Sequence, residues 1–257
     1  MNENIYDIPI LMYHQFVEKK EQAGKIKIFV TRKTLELHLF ILKILGYKTI
    51  TFRDLAQMME RGFKKDKYII ITVDDGYKDN YEILFPLLKK YQMKAVIYFV
   101  TGLDYNRWTV EGEGESRFSL MNSQEVKEMH DSGLVEFGGH TLTHPSLPLL
   151  RDEELEKEIL QNKKELEEIV GEEVISFAYP YGHQTIRVQE MTKKAGYKFA
   201  VSTDSGTGRI SDNFFDIRRT AIDKTSLLDF LRKLSPGYLK YKYKKYGNKE
   251  FKDIKNG

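Results

Sequence analysis

The chain has 257 residues, 41% of them hydrophobic and 31% charged, with a net charge of +3. These values suit one large folded domain and exclude a disordered or fibrous chain, and no apolar run is long enough to span a bilayer. There is no cysteine, so disulfides, thiolate nucleophiles and cysteine-ligated zinc are excluded, and any metal must be held by His and carboxylate.

Met1 to Asp7 is mostly polar and lacks the basic and apolar regions of a signal peptide. The expectation is a cytoplasmic protein, or a cell-envelope protein whose export signal has been trimmed. Pro9 to Phe16 is a short apolar run that predicts a strand. Leu35, Leu39, Leu42 and Leu45 recur at helical spacing, so a helix is predicted over Thr31 to Leu45, capped by Thr31 or Thr34 and ended by Gly46. A short strand at Lys48 to Thr51 and a helix at Phe52 to Met59 follow. Lys67 to Val73 is nearly continuous in β-branched and aromatic residues, as a buried parallel strand would be. Helix Asn80 to Tyr91, strand Ala95 to Val100, helix Ser123 to His130, strand Val135 to Gly138 and helix Asp152 to Val170 come next. After them the pattern predicts strand Val174 to Tyr179, helix Gln184 to Ala195, strands Phe199 to Ser202 and Phe214 to Ile217, and helix Thr225 to Leu234.

Strand and helix alternate six or seven times with no linker between, which argues for one α/β domain on a parallel sheet. Open and closed forms of such a sheet both gather chemistry where strands end, at the C-terminal edge. Four polar motifs fall there. Thr72-Val73-Asp74-Asp75-Gly76 sets two adjacent carboxylates at the end of an apolar strand, a costly arrangement unless a cation meets them; the plain alternative is a solvated Asp-Gly turn. Gly138-Gly139-His140-Thr141-Leu142-Thr143-His144-Pro145 holds two of the six histidines in one turn. Pro145 disfavours helix at His144, but a tight turn can still bring both imidazoles onto one ion. Asp75, His140 and His144 together offer three ligands with open positions left, the pattern of a catalytic metal site. Phe177-Ala178-Tyr179-Pro180-Tyr181-Gly182 fixes an unusual backbone path that could aim an N–H into the site. Met12-Tyr13-His14-Gln15-Phe16 places a histidine at the end of the first strand.

These motifs carry a resemblance. Thr72 to Gly76 resembles the T-F-D-D-G motif of the polysaccharide deacetylases, with Val73 in place of Phe. His140 to Pro145 is similar to that family's H-[S/T]-x-x-H-P, and Phe177 to Gly182 to its third motif. The resemblance spans His14 to about Arg219. It implies a distorted (β/α) barrel of about seven parallel strands, read here as a catalytic domain over residues 1–231 with a C-terminal extension over 232–257. It implies that Asp75, His140 and His144 bind Zn²⁺ or another divalent ion such as Co²⁺ or Ni²⁺. Asp74 would be the general base, and the Tyr181 N–H would hold the oxyanion. The family's late L-x-H motif has no counterpart, because the last histidine is His183. The first-strand motif resembles that of exopolysaccharide deacetylases, so His14 is expected as the general acid, with His183 as the competitor. Ala178 stands where many relatives have an arginine that pairs with the base, and Arg219 is expected to replace it, ahead of Arg218.

The implied activity is metal-dependent removal of N-acetyl groups from a GlcNAc-containing poly- or oligosaccharide. The alternatives are a deacylase on a small N-acyl compound and a glycan-binding homologue without activity. The loop Asp104 to Phe118 carries Tyr105 and the single tryptophan, Trp108, which either stack on sugar rings or pack inward. From Arg232 to Gly257 nine Lys or Arg stand against two acids, a net +7, which leaves −4 on the rest of the chain. That tail reads first as a solvated extension, with peripheral contact to an anionic membrane as the alternative. No nucleic-acid partner is expected.

Overall fold

A parallel neighbour cannot be reached through a tight turn, so each apolar strand of this chain is followed by a crossover, most of them helical. The computed structural model describes residues 8–203, 210, 213–223, 225–235, 238 and 241; most of the 232–257 extension lies outside them. In chain order the elements are β1 (Ile10–Tyr13), β2 (Gln15–Val17), β3 (Phe29–Thr31), α1 (Arg32–Ile44), β4 (Tyr47–Thr49), α2 (Phe52–Arg61), β5 (Lys67–Val73), α3 (Phe85–Tyr91), β6 (Ala95–Phe99), α4 (Arg107–Glu113), α5 (Ser123–Asp131), β7 (Val135–Gly139), α6 (Asp152–Val170), β8 (Ser176–Ala178), α7 (Ile186–Lys194), β9 (Phe199–Val201), β10 (Thr220–Ala221) and α8 (Leu227–Lys233). Seven strands pair in parallel in the order β10-β1-β5-β6-β7-β8-β9. The sheet curls into a half-barrel wrapped by helices, the distorted (β/α) barrel expected. β4 pairs with the start of β5. One bridge, Val201 to Ile217, joins β9 to the segment leading into β10.

Alternate residues of a strand face opposite sides of its sheet. Leu11, Ile69, Ile71, Ile97 and Phe137 face the helices in one large core. Ile10, Ile70, Val96, Tyr98 and Ala178 face the barrel axis in a second. Thr31, Thr51, Asn122, Thr185 and Ser226 cap α1, α2, α5, α7 and α8 through their side chains, each satisfying an N–H that the first turn leaves bare.

Besides α4, which lies in the segment expected to be a loop, three elements depart from the sequence reading. β2 and β3 form a separate parallel ribbon beside the barrel mouth. Asn80 to Tyr91 is not one regular helix, since Asn80–Leu84 is a wide turn in which the Phe85 N–H bonds Asn80 O. Pro86 brings no N–H to a regular ladder, and a wide turn before it accommodates that loss. The strand expected at Phe214 to Ile217 is a turn with one bridging residue, and pairing resumes three residues later as β10 against β1. Among the described residues no helix is long and apolar enough to cross a membrane.

α8 is fastened to α1 through His38. Its ring, 1% exposed, lies flat on Phe230 with centroids 3.8 Å apart, and its Nδ1 is 3.1 Å from the Tyr13 hydroxyl. Burial, helped by Lys233, pushes its pKa down from 6.5 to about 4. Between those values the unfolded chain takes up a proton that the folded chain refuses, so stability is lost as pH falls. The loss reaches roughly 3 kcal/mol at 1.36 kcal/mol per pKa unit. Denaturant unfolding at pH 7 and pH 4.5 should therefore show a steeper acid loss in the parent than in His38→Gln. Equal slopes would mean that the folded protein accepts the proton.

Candidate active site

The barrel-facing parity continues off the strand ends. On β1 it runs from Ile10 to His14, on β5 from Ile70 through Thr72 to Asp74, and on β7 from Gly138 to His140. Three polar side chains thus fall in one layer at the C-terminal mouth, where the sequence placed them. Asp75 breaks the alternation. It takes φ +74°, Gly76 follows at φ +77°, and a Cβ on Gly76 would run into the Phe99 ring. The chain turns at once, and the Asp75 carboxylate swings toward the end of β7.

There it meets both histidines. His140 Nε2 lies 3.3 Å and His144 Nε2 3.4 Å from Asp75 Oδ1. Ligand atoms of all three lie within 4.8 Å of one another, and the three residues are buried. They suit a cation for a chemical reason. His140 Nδ1 is 2.7 Å from the Ala178 carbonyl, which can only accept, so Nδ1 carries the hydrogen. In the neutral ring Nε2 then presents a lone pair to a carboxylate oxygen, which repels unless a positive charge sits between them. Burial lowers the pKa of His144 although Asp75 works the other way. That favours the neutral form, the one that ligates metals. His144 is aimed by ring packing instead of a second hydrogen bond. Its Nδ1 has no hydrogen-bond partner among the described residues, while Trp108 stacks on its face at 4.5 Å and Tyr181 meets it edge-on at 4.7 Å. Trp108 rises from α4, a helix inside the segment expected to be a loop.

Asp74 has a different partner. Arg219, fully buried, grips it with both arms, Nη1 to Oδ1 at 2.5 Å and Nη2 to Oδ2 at 2.6 Å. Nη1 also donates to Thr72 Oγ1 at 3.1 Å and Nε to the Ser202 carbonyl at 2.8 Å. Burial alone would raise the Asp74 pKa, but the guanidinium outweighs it and holds the carboxyl below the usual carboxylate value. The guanidinium on Asp74 belongs to Arg219, not Arg218. Thr72, which the sequence offered only as part of a motif, orients Arg219 and donates to the Leu11 carbonyl at 2.7 Å.

His14 Nε2 lies 3.9 Å from Asp74 Oδ2 with a fifth of its side chain exposed. His183 sits farther out, bonded through Nδ1 to Ser146 Oγ at 3.0 Å and 5.4 Å from the Tyr181 ring. Tyr181 holds a left-handed φ of 60° at the rim, and its N–H donates to no group among the described residues. Tyr105 stays outside the cluster, under the Arg117 guanidinium at 4.0 Å.

Comparison with known proteins gives a consistent result. Residues 61–200 match the family model described as polysaccharide deacetylase. A crystal structure of a polysaccharide deacetylase from Bacillus cereus superposes with a TM-score of 0.72 at 30% identity, covering 89% of this chain and 69% of that one. A Streptococcus pyogenes deacetylase in complex with acetate gives a TM-score of 0.75 at 26% identity, covering 89% of this chain and 98% of that one. A Staphylococcus aureus poly-β-1,6-N-acetyl-D-glucosamine N-deacetylase is 26% identical over 218 residues, 81% of this chain and 73% of its own.

The Asp74–Arg219 geometry carries a measurable consequence. Arg219→Met leaves a buried carboxylate without its counter-charge and should cost about 3–5 kcal/mol. At this chain length that corresponds to roughly 10 °C in Tm. Adding Asp74→Asn should recover much of the loss, since the stranded charge is then gone. A single variant that melts within a degree or two of the parent would show that the pair is not what holds this layer.

Proposed function

Because the chain belongs to the polysaccharide deacetylase family, we propose that it hydrolyses N-acetyl groups from a GlcNAc-containing poly- or oligosaccharide. The observation that carries this reading is the separation of two neighbouring carboxylates onto two partners. Asp75 faces a pair of imidazoles and Asp74 is tied to an arginine. A glycan-binding surface has no use for a second, restrained carboxylate at that point. The choice of an N-acetylglucosamine substrate is supported by the Staphylococcus aureus relative.

In this reading Asp75, His140 and His144 hold a divalent ion, Zn²⁺ or a similar metal. Such an ion acidifies a water and polarises the acyl carbonyl. The rest of the chemistry falls to the chain's own groups. Arg219 keeps Asp74 ionised and fixes its direction, leaving its mouth-facing lone pairs to take a proton as water adds to the acyl carbon. The Tyr181 N–H is free to donate to the oxyanion that forms on the carbonyl oxygen. His14 gives a proton to the leaving nitrogen as the C–N bond breaks, which yields acetate and the free amine. His14 is favoured over His183 because it shares the Asp74 layer, whereas His183 is engaged with Ser146 at the rim.

The test is acetate release from chito-oligosaccharides and poly-β-1,6-N-acetylglucosamine by metal-stripped protein, alone and reloaded with Zn²⁺ or Co²⁺. Release should require metal. Asp74→Asn and His14→Ala should each lower the rate by roughly 10²–10⁴, the usual range for losing a general acid or base, and His183→Ala should lower it far less. Glycan binding without release under any metal would overturn the enzyme reading. Release from small N-acetyl compounds alone would replace the polymer with a small-amide substrate.

A further inference from the structure

We infer that α6 carries two positioning residues, Glu158 and Asn162, that preshape the turn presenting both histidines. The inference rests on reading Asp75, His140 and His144 as a metal site.

The turn from His140 to His144 belongs to no regular element, and two of its residues are held where L-amino acids seldom sit. Thr141 has φ +69° and His144 φ +60°. For a β-branched threonine that region is sparsely populated, and it persists only where the surroundings over-determine it. The over-determination can be followed group by group. The His140 N–H goes to Asn162 Oδ1 at 3.0 Å and the Phe99 carbonyl at 3.2 Å. The Leu142 and Thr143 N–H groups converge on one oxygen, Glu158 Oε2, at 2.9 and 3.0 Å, and the Thr143 hydroxyl takes the other at 2.7 Å. The His144 N–H goes to Thr141 Oγ1 at 2.9 Å. From the acceptor side, Asn162 Nδ2 reaches the Thr141 carbonyl at 2.8 Å and the Phe99 carbonyl at 3.1 Å.

Glu158 and Asn162 are four residues apart, hence neighbours on one face of the helix. One residue fixes the turn at its start and the other at its middle. Successive N–H groups gathered on one carboxylate oxygen are an anion-binding concavity turned inward, with the anion supplied by the chain itself. Gly139 is part of the same device, because a Cβ there would lie 2.6 Å from Asn162 Oδ1.

The Glu158 contacts are separable from the docking of the helix, whereas Asn162 is itself buried within the docked face. α6 is anchored by Leu155, Ile159, Leu166 and Val170, all buried on its apolar face. Removing the Glu158 contacts leaves that face intact and frees the turn to relax toward negative φ, which moves both imidazoles off Asp75. The roles of Glu158 and Asn162 are thus to pre-set ligand geometry.

The experiment uses the full chain, stripped of metal. Zn²⁺ affinity is read by competition with a chromophoric chelator, ligand geometry by the visible absorption of the Co²⁺ form, and fold integrity by the Tm of the metal-free protein. Glu158→Ala and Asn162→Ala should each weaken Zn²⁺ binding roughly 10–100-fold, as loss of groups that orient ligands generally does. The Co²⁺ bands should change, and the metal-free Tm of Glu158→Ala should move by only a few degrees. Glu158→Gln keeps an acceptor for the two amides and should recover most of the affinity. Glu168→Ala, on the exposed side of the same helix, should match the parent. Parent-like affinity and Co²⁺ spectrum in Glu158→Ala would overturn the inference. So would a metal-free Tm that collapses alike in Glu158→Ala and Glu158→Gln, which would make the contact purely structural. Since Glu158 is only half-buried, its variants keep the test decisive even if Asn162→Ala fails to fold. A parent that binds neither Zn²⁺ nor Co²⁺ would instead sink the metal reading, and this inference with it.

Discussion

Two carboxylates stand side by side where β5 leaves the barrel, and both are buried. Left alone, two such charges a residue apart would not both stay ionised. The structure keeps them by giving each a partner from a different direction. Asp75 is turned by its positive φ toward the β7 turn, and Asp74 continues the inward parity of β5 to meet Arg219. Arg219 lies 145 positions along the chain from Asp74. It arrives because β10 pairs with β1, which pairs with β5. The strand order of the sheet and the charge state of Asp74 are therefore one constraint. Thr72 ties them, since its hydroxyl bonds both Arg219 and the Leu11 carbonyl on the neighbouring strand.

The histidines are held by other means. His140 is tied by a hydrogen bond from its far nitrogen to the Ala178 carbonyl. The family resemblance would put an arginine side chain at position 178, yet this chain uses that residue's backbone. His144 is clasped between the Trp108 face and the Tyr181 edge. Ring packing fixes the plane of an imidazole but does not fix which nitrogen is protonated. The two histidines thus differ in how firmly their tautomers are set, though they converge on one carboxylate oxygen.

The strands and their polar ends are legible in the sequence because both signals are local. An apolar run stops, and a carboxylate or imidazole follows within one or two residues, as at Val73–Asp74 and Gly139–His140. The caps at Thr31 and Thr51 are local too. What escapes local reading is whatever depends on distant pairing. The strand predicted at Phe214 to Ile217 has the right composition, but its partners lie on β9 and β1, and they set the register to Thr220–Ala221. The β3 ribbon is foreshadowed by the alternation of Lys25, Ile26, Lys27 and Ile28, a signal masked by the helical spacing that begins at Thr31. α4 is short and amphipathic only in relation to the site it roofs. Glu158 and Asn162 are the extreme case. In a helix dense with charge they look like solvated surface, and only the fold shows that one face of α6 looks down onto the histidine turn.

Charge in the buried layer gives these separate devices a common purpose. Asp74 and Arg219 cancel, and with neutral imidazoles Asp75 leaves one excess negative charge. A divalent ion held there would reverse the sign and leave one excess positive charge in the layer. Without Arg219 the layer would hold two negative charges, and the same ion would only neutralise it. Among side chains this deeply buried such a difference acts at low dielectric and is weakly screened. In the proposed reaction the arginine would then do more than steady Asp74. It would leave the charge of a bound ion uncancelled, so a group bonded to Asp74 and not to the three candidate ligands would set the net charge that an oxyanion meets.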